Sequence, residues 1–415
     1  MRPEREATGD GDRIDSRYYN GVPSTRTTIS CVLAAIFVGL YSIARGPTPA
    51  SLASLALQSP SLTFPLESQW AATLGAAPAF APAYDSTRAF VPLRNGRLVA
   101  VSLADGREMW SIDLTVTARP AAGEELVFAS VDGAVEADAQ SDGKTRWRTP
   151  IDARITAPLH WDAGWLIGSS ERGDLLVFRA GDGKLLWHRE LGSAVSALPA
   201  LAGQRLYVGL EDGRLVALQL QTGNPVWSKQ MREAPTGILA LEDRLFLGSQ
   251  DNFFYCISAE DGDTHWTSRT GADIVGSPVI DQRSVYFVSL DNILRALDRG
   301  NGSLRWRRQL MFRPSTGPLL SGVTVVVAGV AAELRAYSTL TGSPVGELVL
   351  KSEQGDELQL AAPPTLLEGI AAPLIILTRD GRMEGLGPAP PSAPPPTGDK
   401  PQPPPEKPPP AADTP

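Results

Sequence analysis

The residues that could do chemistry are few and scattered. There are three histidines (His160, His188 and His265) and two cysteines (Cys31 and Cys256) in 415 residues. The histidines lie far apart in sequence and show no ligand spacing, and two cysteines cannot form a multi-cysteine metal site or a disulfide framework. No G-x-x-x-x-G-K-[ST] loop occurs, and Gly181-Asp182-Gly183-Lys184 reads as a turn. Asp138…Asp142-Gly143 loosely follows a calcium loop, but Thr149 stands where the bidentate glutamate belongs, so it too reads as a turn. The formal charge of −8 argues against nucleic acid, since phosphate binding needs clustered Lys and Arg. No catalytic, cofactor-binding or metal residue is therefore assigned.

What recurs is structural. A glycine followed four residues later by tryptophan appears at Gly106/Trp110, Gly143/Trp147, Gly183/Trp187, Gly223/Trp227, Gly262/Trp266 and Gly302/Trp306. These tryptophans are 37, 40, 40, 39 and 40 residues apart. Gly342 continues the series, with Gly346 in place of its tryptophan. Six residues before each glycine is a small or modest apolar residue, such as Ala100, Val177 or Cys256, and two before that a larger one, the alternation of a half-buried strand. Asn95-Gly96, Asp132-Gly133, Asp212-Gly213, Asp251-Asn252, Asp291-Asn292 and Asp380-Gly381 supply hairpin turns, each preceded by an apolar strand.

Each unit of about 40 residues is thus a four-stranded antiparallel meander, strands A to D, with the tryptophan on D; such units are β-propeller blades. The B–C hairpin occurs eight times, but the eighth copy has no strand D after it. QWAATL at the N-terminal end of the repeats has the strand-D pattern, with Trp70 placed 40 residues before Trp110. The expectation is an all-β, eight-bladed propeller over 63–387, its last blade closed by the N-terminal strand.

The repeat resembles the pyrroloquinoline-quinone-type family, whose signature is best matched by Ala296-Leu297-Asp298…Gly302…Trp306. Most copies depart at the Asp position, where Ser102, Ala139, Arg179, Gln219 and Ser258 stand. The resemblance implies that Trp70, Trp110, Trp147, Trp187, Trp227, Trp266 and Trp306 dock between neighbouring blades. It also implies two kinds of function. One is a quinone- and calcium-dependent dehydrogenase, whose insertions and paired cysteines have no counterpart here; Cys256 occupies a small-residue core position. The other is a catalytically inert scaffold of the BamB type, working with protein partners of a membrane protein-assembly complex on the periplasmic side of a bacterial membrane. The second is the expectation, with no cofactor.

Outside the repeats, 27–44 is an uncharged run of 18 residues between Arg26 and Arg45. As a helix it would reach roughly 27 Å, close to a hydrocarbon core. The expectation is an uncleaved, single-pass inner-membrane anchor, with a cleaved signal peptide as the alternative. Five arginines in 1–26 keep that segment cytoplasmic and export the rest. Residues 45–62 read as a linker, and 388–415, with 14 prolines, as an extended tail that is either a spacer or a partner ligand. Propeller geometry puts the D–A loops and B–C turns on one face. Arg154, Arg232, Asp273 and Arg313 lie in those loops, either contacting a partner or merely solubilising the rim. About nine extra residues fall within 350–363. Trp161, outside the strand-D pattern and near His160 in an expected A–B turn, is a further partner-contact candidate or a packing residue.

Overall fold

The computed structural model describes residues 62–352, 355–367 and 369–389. The segments 1–26 and 27–44, most of the 45–62 linker and the tail beyond Ala389 lie outside these residues. Among the described residues there is no helix, and so none long and apolar enough to cross a membrane.

Thirty-two strands form eight four-stranded sheets arranged as a propeller. Blades 1 to 7 are consecutive meanders. In blade 1 the strands are Ala83–Tyr84, Arg88–Pro92, Arg97–Ser102 and Glu108–Asp113; blade 3 runs from His160–Asp162 to Leu185–Glu190. First strands of successive blades touch around the ring, so strand A is innermost and D outermost. Blade 8 takes strands A to C from Thr365–Leu366, Leu374–Leu377 and Arg382–Pro388, and its outer strand is Leu66–Thr73 from the other end of the repeats. That strand pairs with Arg382–Pro388 from Leu66↔Pro388 to Thr73↔Arg382, the closure expected from the sequence. Closure leaves no half-built blade with an open edge.

Turn chemistry follows the dipeptides. Gly96, Gly133, Gly213 and Gly381 sit at positive φ in the B–C hairpins, as do Asn252 and Asn292, the side chain that best tolerates this region after glycine.

The core lies between blades. Eight apolar clusters are found among the described residues, each bridging two consecutive blades: one joins Val177, Leu175 and Ile167 of blade 3 to Leu206, Val208 and Val216 of blade 4. The last two join blade 7 to blade 8 and blade 8 to blade 1. Both faces of strands B and C are therefore buried, which is why they read as near-continuous apolar runs such as Leu126–Val131.

Candidate interaction face and blade-docking residues

The glycine–tryptophan pair has a geometric cause. In strand D each tryptophan lies opposite the small residue of strand C: Ala100↔Trp110, Ala137↔Trp147, Ala217↔Trp227, Ala296↔Trp306. The small side chain lets the indole lie across strand C toward an aromatic ring on strand B. Centroid separations are 5.9 Å for Phe90–Trp110, 6.0 Å for Phe128–Trp147 and 5.7 Å for Tyr286–Trp306. These strand-B aromatics were not singled out from the sequence, although Phe90, Phe128, Tyr207, Phe246 and Tyr286 occupy the same position in their repeats.

Each indole N–H then reaches into the next blade. Trp70 donates to the Leu103 carbonyl at 2.9 Å, Trp147 to Ala180 at 2.9 Å, Trp187 to Leu220 at 2.8 Å and Trp306 to Thr339 at 2.8 Å. Trp110, Trp227 and Trp266 make the same bond to Gln140, Ala259 and Arg299. The ring rests on the glycine of that blade's C–D turn. A Cβ on Gly223 would lie 2.6 Å from the Trp187 ring, and Gly223 has a φ of +68°. Glycine is thus required twice, by the turn and by the neighbour's ring.

Blade 7 departs from the rule. Gly346 stands opposite Ala336 in the tryptophan position. The slot is filled by Phe64, whose ring a Cβ on Gly346 would approach to 2.2 Å. Blade 8 has no C–D turn to receive a tryptophan, because its strands C and D come from opposite ends of the repeats, with Ala389 N–H donating to the Pro65 carbonyl at 2.9 Å. The entering segment supplies the aromatic ring instead.

The four charged loop residues fall on the face formed by D–A loops and B–C turns, but on separate blades. Arg154 lies in the loop entering blade 3 and lines a groove of roughly 780 Å³ between blades 2 and 3, together with Arg172, Asp174, His188 and Glu190. Arg232, entering blade 5, stacks its guanidinium 5.9 Å from the Phe253 ring centroid. Asp273, entering blade 6, accepts Leu290 N–H at 2.8 Å through its carbonyl. Arg313, entering blade 7, is exposed. The face gathers them into a broad surface rather than a single pocket. The enlarged segment after blade 7 is pinned to this face: Ala331 bridges Gln359, Lys351 bridges Glu357 and Leu360 bridges Thr378, and Leu358 and Leu360 are buried.

Trp161 lies elsewhere. His160–Asp162 is strand A of blade 3, where an A–B turn was expected, so the residue faces the inner ring and not the loop rim. Its ring packs on Gly123 of blade 2, and its buried Nε1 has no hydrogen-bond partner. It borders a small cavity of roughly 150 Å³ with Tyr84, Arg119 and His160. Burial lowers the His160 and Arg119 pKa values and pushes Tyr84 up to about 12. Cys256 is fully buried with its thiol pushed up to about 11 by desolvation, which fits a core residue and not a nucleophile.

Known proteins place this architecture. A relative from Nitrosomonas eutropha, an outer membrane protein assembly factor BamB, is 26% identical over 171 residues, 39% of this chain and 41% of that protein. One from Burkholderia pseudomallei with the same description is 25% identical over 77% of this chain and 87% of its own length. BamB from Moraxella catarrhalis superposes with a TM-score of 0.65 at 17% identity, over 78% of this chain and all of that one. A quinohemoprotein alcohol dehydrogenase from Comamonas testosteroni shares the fold at a TM-score of 0.63 and 13% identity, over 78% of this chain and 76% of that one. The model of the family described as outer membrane protein assembly factor BamB matches residues 67–150, 131–241 and 235–376, from the closing strand into the first strand of the last hairpin, and the chain belongs to that family.

Proposed function

We propose that the chain is a non-enzymatic protein-interaction scaffold that works in a membrane protein-assembly complex, with the propeller tethered on the extracytoplasmic side by residues 27–44. The observation that carries this reading is the family match across 67–376. The structure supports it with a rigid ring whose one face is built from loops and turns, where Arg154, Arg232 and Arg313 offer separated cationic contacts and the pinned 350–363 segment adds relief. Loops positioned by a rigid scaffold are where binding residues concentrate. Reversing Arg154, Arg232 and Arg313 to glutamate should abolish recovery of a defined partner from detergent-solubilised membranes while leaving the melting temperature unchanged. Retention of the partner by the triple variant would place the interface elsewhere. The tether is checked by extraction: detergent should release the full chain from membranes and high salt should not. A mature N-terminus near residue 54 or 57 would show that 27–44 is removed.

The dehydrogenase-like fold neighbour gives the opposing reading a direct test. Purified protein mixed with pyrroloquinoline quinone and calcium should neither retain stoichiometric quinone nor reduce an artificial acceptor with alcohols or sugars. Turnover would overturn the scaffold reading.

A further inference from the structure

Among the described residues, blade 3 carries a cluster that its sister blades do not. Asp174 and Glu190 are directly paired across strands C and D, and His188 lies two residues along strand D on the same side of the sheet, opposite Leu176. One ligand-capable atom from each of Asp174, His188 and Glu190 lies within 4.8 Å of the others. His188 Nε2 is 3.1 Å from Asp174 Oδ1, and the Ser170 hydroxyl donates to Asp174 Oδ2 at 2.6 Å, which fixes the carboxylate. All three line the open groove between blades 2 and 3.

The repeat itself shows what such a pair of carboxylates needs. In blade 7 the positions equivalent to Asp174 and His188 are Glu333 and Glu347, and Arg335 bridges them at 2.8 Å and 2.7 Å. The position equivalent to Arg335 in blade 3 is Leu176, so no arginine bridges the two strands where two carboxylates and an imidazole converge. Glu190 forms no salt bridge among the described residues. In blades 4 and 6 the same three positions hold Arg214, Ser228 and Gln230, and Ile293, Arg307 and Gln309, which cannot assemble an equivalent donor set.

We infer that Asp174, His188 and Glu190 form a binding site for a divalent transition-metal ion, zinc by donor type, on the outer part of blade 3. One imidazole nitrogen and two carboxylate oxygens suit zinc, whose ligand bonds of about 2.0–2.2 Å are reached by turning the two exposed side chains toward the anchored Asp174. Three protein ligands leave a coordination position open toward the groove, for water or for a carboxylate or imidazole of a docked chain. Arg154 and Arg172 line the same groove and oppose a bare cation there, so an anionic fourth ligand is favoured over water.

The test uses the purified full chain in detergent, stripped of metal by chelator and dialysis, and zinc chloride as the probe. Calorimetric titration should show one saturable site. His188→Gln and Glu190→Gln should each weaken it at least about tenfold, because loss even of an outer-shell partner costs that much and these are ligands. His265→Gln, an exposed histidine on strand D of blade 5, should bind as the parent does. Cobalt(II) should give visible d–d bands of a low-coordinate site in the parent and lose them in His188→Gln. Glu190 is exposed, so its substitution tests the site without endangering the fold. Absence of saturable binding, or equal affinity in the parent and in either ligand variant, overturns the assignment.

Discussion

Phe64 and Gly346 should behave as one unit. The Phe64 ring occupies the slot that a tryptophan fills in every other blade, against a residue with no side chain. Phe64→Ala removes a partly buried ring that packs on the blade 7–8 cluster of Val326, Leu334, Leu374 and Leu386. A fully buried Phe→Ala costs roughly 3–5 kcal/mol, and the partial exposure of Phe64 puts this one near 2–3 kcal/mol. Gly346→Trp alone is also damaging. Its Cβ would sit 2.2 Å from Phe64 Cγ, so one ring must leave, at a cost of roughly 1–3 kcal/mol for overpacking. Together the two changes restore the arrangement of the other blades, an indole across a small strand-C residue, here Ala336. The double variant should therefore be more stable than the sum of the singles by about 2 kcal/mol or more, a coupling expected only for residues sharing one site. The assay is the urea midpoint followed by far-UV circular dichroism, each variant being read against its own folded and unfolded baselines. Additive losses would mean that Phe64 does not fill the tryptophan slot, and the account of how the ring is closed would fall.

Three further outcomes follow from the same geometry. Trp187→Phe loses the bond to the Leu220 carbonyl and should cost about 1 kcal/mol or more, whereas Trp161→Phe removes a buried N–H with no partner and should be neutral or stabilising; thermal melts of the two variants decide, and equal losses would refute the distinction. Asp138 is fully buried, and desolvation raises its pKa from 3.8 to about 6. The folded state therefore holds this proton more tightly than the unfolded chain, so ionisation opposes folding: the penalty is absent below about pH 4, grows through pH 6 and is complete above it, at roughly 2–3 kcal/mol. Asp138→Asn should raise the melting temperature at pH 7–8 and lose that advantage at pH 4; a constant difference across the range would show that the carboxyl does not titrate as placed. Deleting 63–75 should lower the melting temperature of the whole ring, because it removes the outer strand of blade 8 and Phe64 together, while removing 390–415 should leave it nearly unchanged.

The period that revealed the fold is also the measure of where sequence reading stops. Trp110 to Trp306 were legible because a large residue at fixed distance from a glycine is rare by chance, and each repeat supplies the indole of one inter-blade contact and the glycine of the preceding one. Closure was legible from Trp70, since the motif was complete only when the two ends of the repeat region were combined. Trp161 was misplaced in a turn because strand A is only two or three residues long in several blades, too short for an alternating pattern to register. The substitution of Phe64 for a missing tryptophan was invisible, because the two residues are 282 positions apart and outside the repeat's own spacing. Asp138 also escaped notice as a buried group: in a repeat whose signature carries Asp nearby, an acidic residue at this point reads as a turn.

Those exceptions have a common origin in the way a closed repeat distributes its stability. Each interface between blades holds its own apolar cluster, and seven of the eight also hold an indole bond, so the ring stays secured where one position drifts. Asp138, Gly346 and the Asp174–His188–Glu190 cluster are all departures from what sister blades place at the same register. The first sits beside Val127 in the blade 1–2 interface, where the equivalent residues are Phe178, Leu218 and Leu297, and it can only weaken the fold at neutral pH. The second is compensated in full view by Phe64. The third faces outward, costs the core nothing and creates a donor set that blades 4, 6 and 7 do not assemble at the same three positions. A departure that is neither buried nor compensated is the kind a scaffold can keep for a ligand, and that distinction is what separates the proposed metal site from the other two.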